Sequence, residues 1–406
     1  MLNQAPAASR LHIGLFGRRN VGKSSLINAI TGQQIALVSG QPGTTTDPVY
    51  KSMEILPIGP VMFMDTAGLD DEGEVGTLRV NKTRKVMDRT DVALLVFSPQ
   101  VADWSLELEW YQAFKARKIP VVGVINRIDE NDVDAALFEE YFDVPFVKVS
   151  SKTGLYVDKL TEAIQTYAPV DLSGVALVGD LVNSDALVVL VAPPDKQSPK
   201  GRLKLAQVQV IRDLLDHHAM ALTVTDDELP TLLASLNRRP DLVIADAQVF
   251  DKVTRVLPGD VLLTSFSMVL ARFKGDLGLM VEGARTIDSL KPGDKVLIAE
   301  ACTHHAMEGD IARERLPQWL SQKVGGDVSI TVNTGVDFPE DLGQYKLVVH
   351  CGACMFNRRQ VTTRLQKATQ AGVPVTNFGV AIAYLKGVLD SSLRAFEDGH
   401  ASIEKR

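Results

Sequence analysis

The chain has 406 residues, 45% hydrophobic and 23% charged, the make-up of a globular protein with apolar material for two or three domains. Its 43 basic and 50 acidic residues leave a net charge of −7, which argues against a general nucleic-acid binder, because phosphate contacts need a local excess of Lys and Arg. Three cysteines exclude a disulfide-stapled fold, no apolar run approaches the roughly 20 residues of a membrane helix, and the first residues lack a basic-then-apolar secretory layout, so a cytoplasmic protein without a membrane partner is expected.

Short β-branched runs alternate with amphipathic stretches along the whole length. "LHIGLFG", "VMFMDTAG", "VALLVFS", "VVGVINR" and "PFVKVSS" read as strands, with helix-like "VGTLRVNKTRKVMDR" and "YVDKLTEAIQTYA" between or after them. This βαβ rhythm predicts a mainly parallel sheet with helices on both faces. "APVDLSG" at 168–174 reads as a linker, after which "ALVVLVAPPD", "ALTVT" and "DLVIADAQ" resume the strands. A second boundary is expected near 265–272, followed by "KVLIAEAC", "VSITVNTG", "KLVVHCG" and "VPVTNFG". The expected class is α/β, in three units at 1–170, 171–266 and 267–406 with mainly parallel sheets.

"GRRNVGKS" at 17–24 fits the phosphate-binding pattern G-x-x-x-x-G-K-[ST], with a predicted strand before it and a helix after it. Gly17 and Gly22 let backbone amides, including those at Val21 and Ser25, turn toward phosphates at a helix N-terminus. Lys23 neutralises the outer phosphate oxygens and the Ser24 hydroxyl can ligate magnesium. "MDTAG" at 64–68 ends a strand in Asp-x-x-Gly: Asp65 can hold magnesium through water, and Gly68 can offer its amide to a γ-phosphate. The threonines of "GTTTD" at 43–47 could reach the metal. "NRID" at 126–129 places Asp129 to accept from two neighbouring guanine donors that adenine lacks. "SSKTG", with Ser150, Ser151 and Lys152, could close over the base.

In this order and spacing, these elements resemble the translation-factor-like GTPases of the group that holds the tRNA-modification and Era-type enzymes. The resemblance covers about residues 10–168. It implies GTP and Mg2+ as ligands, Thr45 as the switch threonine on magnesium, and Asn20 beside a bound K+. Asn126 and Arg127 join the base site, although Arg127 stands where the family usually has Lys. Leu69 follows "DTAG" where a Ras-like enzyme has a water-positioning Gln, so slow intrinsic hydrolysis is expected, with potassium supplying charge.

All three cysteines lie near the C-terminal end, in "ACTHH" at 301–305 and "VVHCGACMFN" at 348–357. Both segments follow apolar strands, and residues just past the C-terminal ends of strands line the crevice of an open α/β sheet. The two loops are therefore expected to meet at one sheet edge. Cys302, Cys351 and Cys354, with His304 or His350 nearby, suit a structural Cys₃His zinc or an iron–sulfur cluster with one open iron. Spacing does not choose between zinc and iron. Buried apolar cysteines or a redox dithiol are the other readings. His305 is expected to face away, and His217 and His218 need only a helix C-terminus.

A P-loop GTPase region followed by C-x-H, a gap and H-C-x-x-C resembles the maturation GTPases of iron–iron hydrogenases over the whole chain. That resemblance implies a P-loop GTPase domain followed by two smaller α/β domains: a middle dimerisation domain and a C-terminal domain carrying a 4Fe–4S cluster on Cys302, Cys351 and Cys354. His304 and His350 are candidate fourth ligands. It further implies a homodimeric scaffold that takes a two-iron subcluster from radical-SAM maturation enzymes and delivers it to apo iron–iron hydrogenase. No nucleic-acid partner is expected. The rival reading is an RNA- or ribosome-associated GTPase whose cysteines hold structural zinc, against which stands the lack of a basic stripe after residue 170.

Overall fold

The computed structural model describes residues 7–32, 49–68, 82–101, 103–169, 176–194, 203–301 and 310–397. The chain divides into two compact units, 1–174 and 175–406.

The first unit is built on a six-stranded sheet in the order β2-β3-β1-β4-β5-β6. Its strands are β1 (Leu11–Phe16), β2 (Val49–Ile55), β3 (Gly59–Asp65), β4 (Val92–Phe97), β5 (Val121–Ile125) and β6 (Phe146–Lys148). β1, β4 and β5 are buried at every residue, as expected of central parallel strands covered on both faces. All neighbours run parallel except β2, which pairs antiparallel with β3. The five strands expected here all form. β2 is not among them, because "VYKSMEI" lies on a half-exposed edge where Lys51 is buried while Val49 and Tyr50 are exposed, so it lacks a strand's apolar pattern. Of the helix expected over "VGTLRVNKTRKVMDR", only residues 82–87 are described and helical.

Two further four-stranded sheets lie in the second unit. One has the order β10-β9-β7-β8, from β7 (Leu187–Val191), β8 (Met220–Val224), β9 (Leu242–Ala245) and β10 (Leu262–Ser265). The other has the order β12-β11-β13-β14, from β11 (Lys295–Ala299), β12 (Ser329–Asn333), β13 (Leu347–His350) and β14 (Val375–Asn377). Every pairing in both is parallel.

The stretch 265–272 holds the end of β10, which runs straight into the helix Phe266–Lys274. Ser265 caps that helix, its side chain accepting the Met268 amide at 3.2 Å. Met268, Val269 and Leu270 join a single apolar core that runs from Leu177 to Phe396 and takes in residues of both sheets. One shared core explains why the two sheets make one compact unit.

Candidate functional site

In the first unit, β1 runs out at Phe16 and the chain turns through residues 17–22 into the helix Lys23–Thr31. Gly22 holds φ at +94°, and a Cβ there would lie 2.3 Å from the Asn126 side chain. Only glycine admits both the backbone and that close approach. No side chain caps this helix, so its first amides remain directed at whatever binds in the loop. Lys23 is buried, its Nζ donating to Gly17 O and Arg18 O at 2.8 Å each.

Asp65 closes β3, which is paired in register with β1. Ser24 Oγ donates to Asp65 Oδ2 at 2.5 Å. Asp65 Oδ1 is buried and has no hydrogen-bond partner among the described residues. Burial holds the Asp65 carboxyl above the usual carboxylate range, while Lys23, the Ser24 bond and Lys51 pull it the other way. An orphaned carboxylate oxygen next to a serine hydroxyl is a hard oxygen donor set of the kind magnesium takes. Gly68 is buried in the loop three residues beyond Asp65.

The base-side residues sit on the next strand ends. Asn126, just past β5, is fully buried; its Nδ2 donates to Val21 O at 2.8 Å and its Oδ1 accepts the Ser151 amide at 3.0 Å. One amide side chain thus ties the phosphate loop to the "SSKTG" loop. Arg127, at φ +66°, reaches back to Asn20 O at 2.5 Å. Asn20 is exposed, at φ +59°. Asp129 Oδ1 accepts from Ser150 Oγ at 2.6 Å, and that bond holds its carboxyl below the usual range. Lys152 adds a favourable charge. Arg18, which the motif leaves unassigned, pairs with Glu107 at 2.8 Å and donates to Asp103 O at 2.7 Å, anchoring the outer rim of the loop. Ser25 lies half-buried in the helix's first turn. Thr45 lies outside the described residues.

In the second unit, β11 and β13 are neighbours with Ala299 opposite His350, so both chains leave the sheet at the same end. The Cys351 amide donates to Ala299 O at 2.9 Å. Cys351 Sγ accepts from the Ala301 amide at 3.1 Å and the Ala353 amide at 3.4 Å. Cys351 and Cys354 are half-buried thiols. Cys302 and His304 lie outside the described residues, but Cys302 follows directly on Ala301 in the chain. Half-buried thiols with amides aimed at sulfur suit a thiolate ligand, because N–H donors stabilise charge on sulfur.

His350 has both ring nitrogens engaged within the protein. Nδ1 lies 2.9 Å from Cys351 O and Nε2 lies 3.0 Å from Arg364 Nη1. Since a carbonyl can only accept and a guanidinium can only donate, Nδ1 carries the proton and the Nε2 lone pair is used on Arg364. Burial, then the Arg364 charge, pushes the His350 imidazolium down to about 3. As placed, His350 offers no nitrogen to a metal, in contrast to the ligand role expected from its position beside Cys351. Among the described residues there is no group of three or more His, Cys, Asp or Glu that could hold a metal.

Three features here had no signal in the motifs. Arg313 reaches Glu300 at 2.9 Å and Asp310 at 3.4 Å, the residues that flank 301–309. Ala353 takes a left-handed φ of +51°, whereas its neighbour Gly352 does not. Lys274 is buried beneath the same loop, where burial lowers its ammonium to about 8 against the favourable charge of Cys354 and Cys351.

Comparison with known proteins gives three matching family models. One described as "50S ribosome-binding GTPase" matches residues 12–127. "Hydrogen maturase F dimerization domain" matches 177–275, and "Hydrogen maturase F tetramerization domain" matches 278–395. Among relatives, the chain is similar to the GTPase Der of Wolinella succinogenes, 33% identical over 169 residues, 39% of this chain and 36% of that one. It is also similar to the GTPase Era of Clostridium acetobutylicum, 32% over 160 residues, 37% of this chain and 53% of that one. The tRNA modification GTPase MnmE of Desulfotalea psychrophila is 34% identical over 159 residues, 37% of this chain and 33% of that one. The chain thus spans between 33% and 53% of the length of these relatives.

Proposed function

This chain belongs to the hydrogen maturase F family, with a GTPase domain at its N-terminus, and from that premise we propose that it is a GTP-hydrolysing scaffold that holds a 4Fe–4S cluster and carries the two-iron subcluster to apo iron–iron hydrogenase. In this reading residues 1–170 bind and hydrolyse GTP, 171–266 dimerise and 267–406 hold the cluster. The subcluster arrives from radical-SAM maturation enzymes, and the protein works in the cytoplasm. No helix among the described residues is long and apolar enough to cross a membrane.

The nucleotide roles rest on the geometry of the first unit. Gly17, Val21, Gly22 and Ser25 would present amides to phosphate, and Lys23 would exchange its two carbonyl partners for phosphate oxygens. Ser24 and Asp65 would hold magnesium together with Thr45, and Gly68 would offer its amide to the γ-phosphate. Asn126 and Arg127 stiffen the base site, Asp129 reads guanine, and Ser150, Ser151 and Lys152 close over it. Magnesium, when bound, screens the phosphate charge that builds during transfer. Without a glutamine to position water, hydrolysis is slow and suits a switch. Asn20, exposed with its carbonyl held by Arg127, is offered to potassium; equal rates in potassium and sodium would remove that role.

The observation that carries the cluster reading is the bond from the Ala301 amide to Cys351 Sγ. It supports bringing Cys302, the next residue, to the Cys351–Cys354 loop. Three thiolates on a four-iron cube leave one iron able to take and release a ligand. Of the two histidines, His304 is favoured for that position because both nitrogens of His350 are engaged.

The test is iron, sulfide and zinc content after anaerobic reconstitution, with EPR of the reduced protein. About four irons and four sulfides per chain, lost in Cys302→Ser, are expected. One zinc without sulfide would replace this reading with the ribosome- or RNA-associated GTPase.

A further inference from the structure

We propose that Lys274 is a positioning residue for the cysteine loop, holding its backbone in a metal-ready shape and setting a buried ammonium against the segment that carries Cys351 and Cys354. The role as a charge partner for a cluster rests on the function proposed above; the loop-shaping role does not.

Lys274 ends the helix Phe266–Lys274, and its side chain is 2% exposed. Its ammonium donates to Ala353 O at 3.2 Å, Cys354 O at 3.3 Å and Phe356 O at 2.7 Å. An ammonium has three protons, and all three fall on carbonyls of one short segment. His350 Nδ1 takes the carbonyl of Cys351. Four carbonyls of the loop are therefore held by buried side chains, while the amides of Ala301 and Ala353 are directed at Cys351 Sγ. The two amides favour negative charge on that sulfur directly, and the buried ammonium adds a positive charge to the same loop.

The Ala353 conformation needs such a hold. A non-glycine residue at φ +51° costs about 1 kcal/mol or more, and it persists only where its surroundings over-determine it. The bond from Lys274 to the Ala353 carbonyl is one such constraint, beside the Phe356 amide on the same oxygen at 3.1 Å and the Ala353 amide on Cys351 Sγ.

The choice of lysine needs its own reason, because a buried cation is expensive unless an anion offsets it. Among the described residues no carboxylate pairs with Lys274, and the segment its ammonium bonds is the one that carries Cys354, three residues after Cys351. A neutral hydrogen-bonding side chain would shape the loop at lower cost. The positive charge is explained if the loop carries anionic sulfur, as a cluster on thiolates does.

The test compares full-length wild type, Lys274→Met and Lys274→Gln. In the metal-free proteins, hydrogen exchange of the amides at 351–357 is read against those of the helix carrying residue 274. Lys274→Met is expected to lose about tenfold or more protection in the loop while the helix stays protected. In the reconstituted proteins, both variants are expected to show a more negative cluster midpoint, since the removed charge favours the reduced state. Lys274→Gln retains part of the hydrogen bonding, so it shows the midpoint shift with less loss of protection.

Unchanged loop protection in Lys274→Met would overturn the positioning role. An unchanged midpoint in both variants would overturn the charge role. Should Lys274→Met fail to fold, Lys274→Gln decides both points. Should the wild type take zinc and no sulfide, the cluster reading falls, while the exchange comparison still decides whether Lys274 shapes the loop.

Discussion

The amide of Ala301 donates to Cys351 Sγ at 3.1 Å, although the two residues are 50 positions apart. Parallel pairing of β11 and β13 makes this possible: with Ala299 opposite His350, the next residues of both strands leave the sheet side by side. The candidate metal site is thus built across two strand ends, and the groups that frame it are as informative as the cysteines themselves.

Arg313 bridges Glu300 and Asp310, whose side chains are 4% and 2% exposed. It closes the base of the segment that carries Cys302. Replacing it with methionine deprives two buried carboxylates of this partner, and a loss of about 2 kcal/mol is expected, seen as a fall of several degrees in Tm of the metal-free protein. Iron retention against a chelator should fall with it. A variant as stable and as retentive as wild type would show that this pair does not close the loop.

His350 and His304 should behave differently. His350→Gln removes the partner of Arg364 Nη1 and the hold on Cys351 O, so lower thermal stability is expected, by roughly 1–3 kcal/mol. The EPR signal of the reduced cluster should keep its shape. His304→Ala should change the signal while leaving stability near wild type. The reverse pattern would make His350 the iron ligand, and its bond to Arg364 would then have to break on loading.

At the nucleotide site, Asp65→Asn replaces the orphaned Oδ1 carboxylate with a neutral amide in a buried position. Magnesium-dependent hydrolysis should fall by about 10- to 100-fold, the usual cost of losing an outer partner of a bound metal. The defect should shrink at high magnesium if the loss is one of metal affinity. An unchanged magnesium requirement would mean that Asp65 serves only to hold Ser24.

Asp129 carries the base choice. Its Ser150 bond holds the carboxyl below the usual range, so it stays ionised as pH falls, and its contribution is lost only below the ordinary carboxylate value. The preference for GTP over ATP, in which the shared phosphate and Asp65 titrations cancel, should therefore be flat between about pH 8 and pH 5. Asp129→Asn should lose GTP and gain xanthosine triphosphate, whose base offers an acceptor where guanine has a donor. Competition binding would read both, and an unchanged preference for GTP would move base recognition to other residues.

The sequence by itself determined what depends on local pattern. The alternation of strands and helices, "GRRNVGKS" with a strand before it and a helix after it, "DTAG", "NRID" and the clustering of cysteines were all legible because each is a short run whose residue types carry the chemistry. The edge strand β2 escaped, since a half-exposed strand lacks the continuous apolar run of its central neighbours. Only the tertiary structure decided how distant residues meet. The ties from Asn126 to Val21 and Ser151, from Arg364 to His350 and from Lys274 to Ala353 join residues whose separation along the chain carries no signal of contact. It also assigned the left-handed turn to Ala353 instead of Gly352, because a backbone conformation is set by the bonds that hold it as well as by the residue that most easily adopts it. The physical reason is the same throughout. A buried lysine, histidine or arginine is defined by the partners that offset its desolvation, and those partners are brought to it by sheet register and core packing.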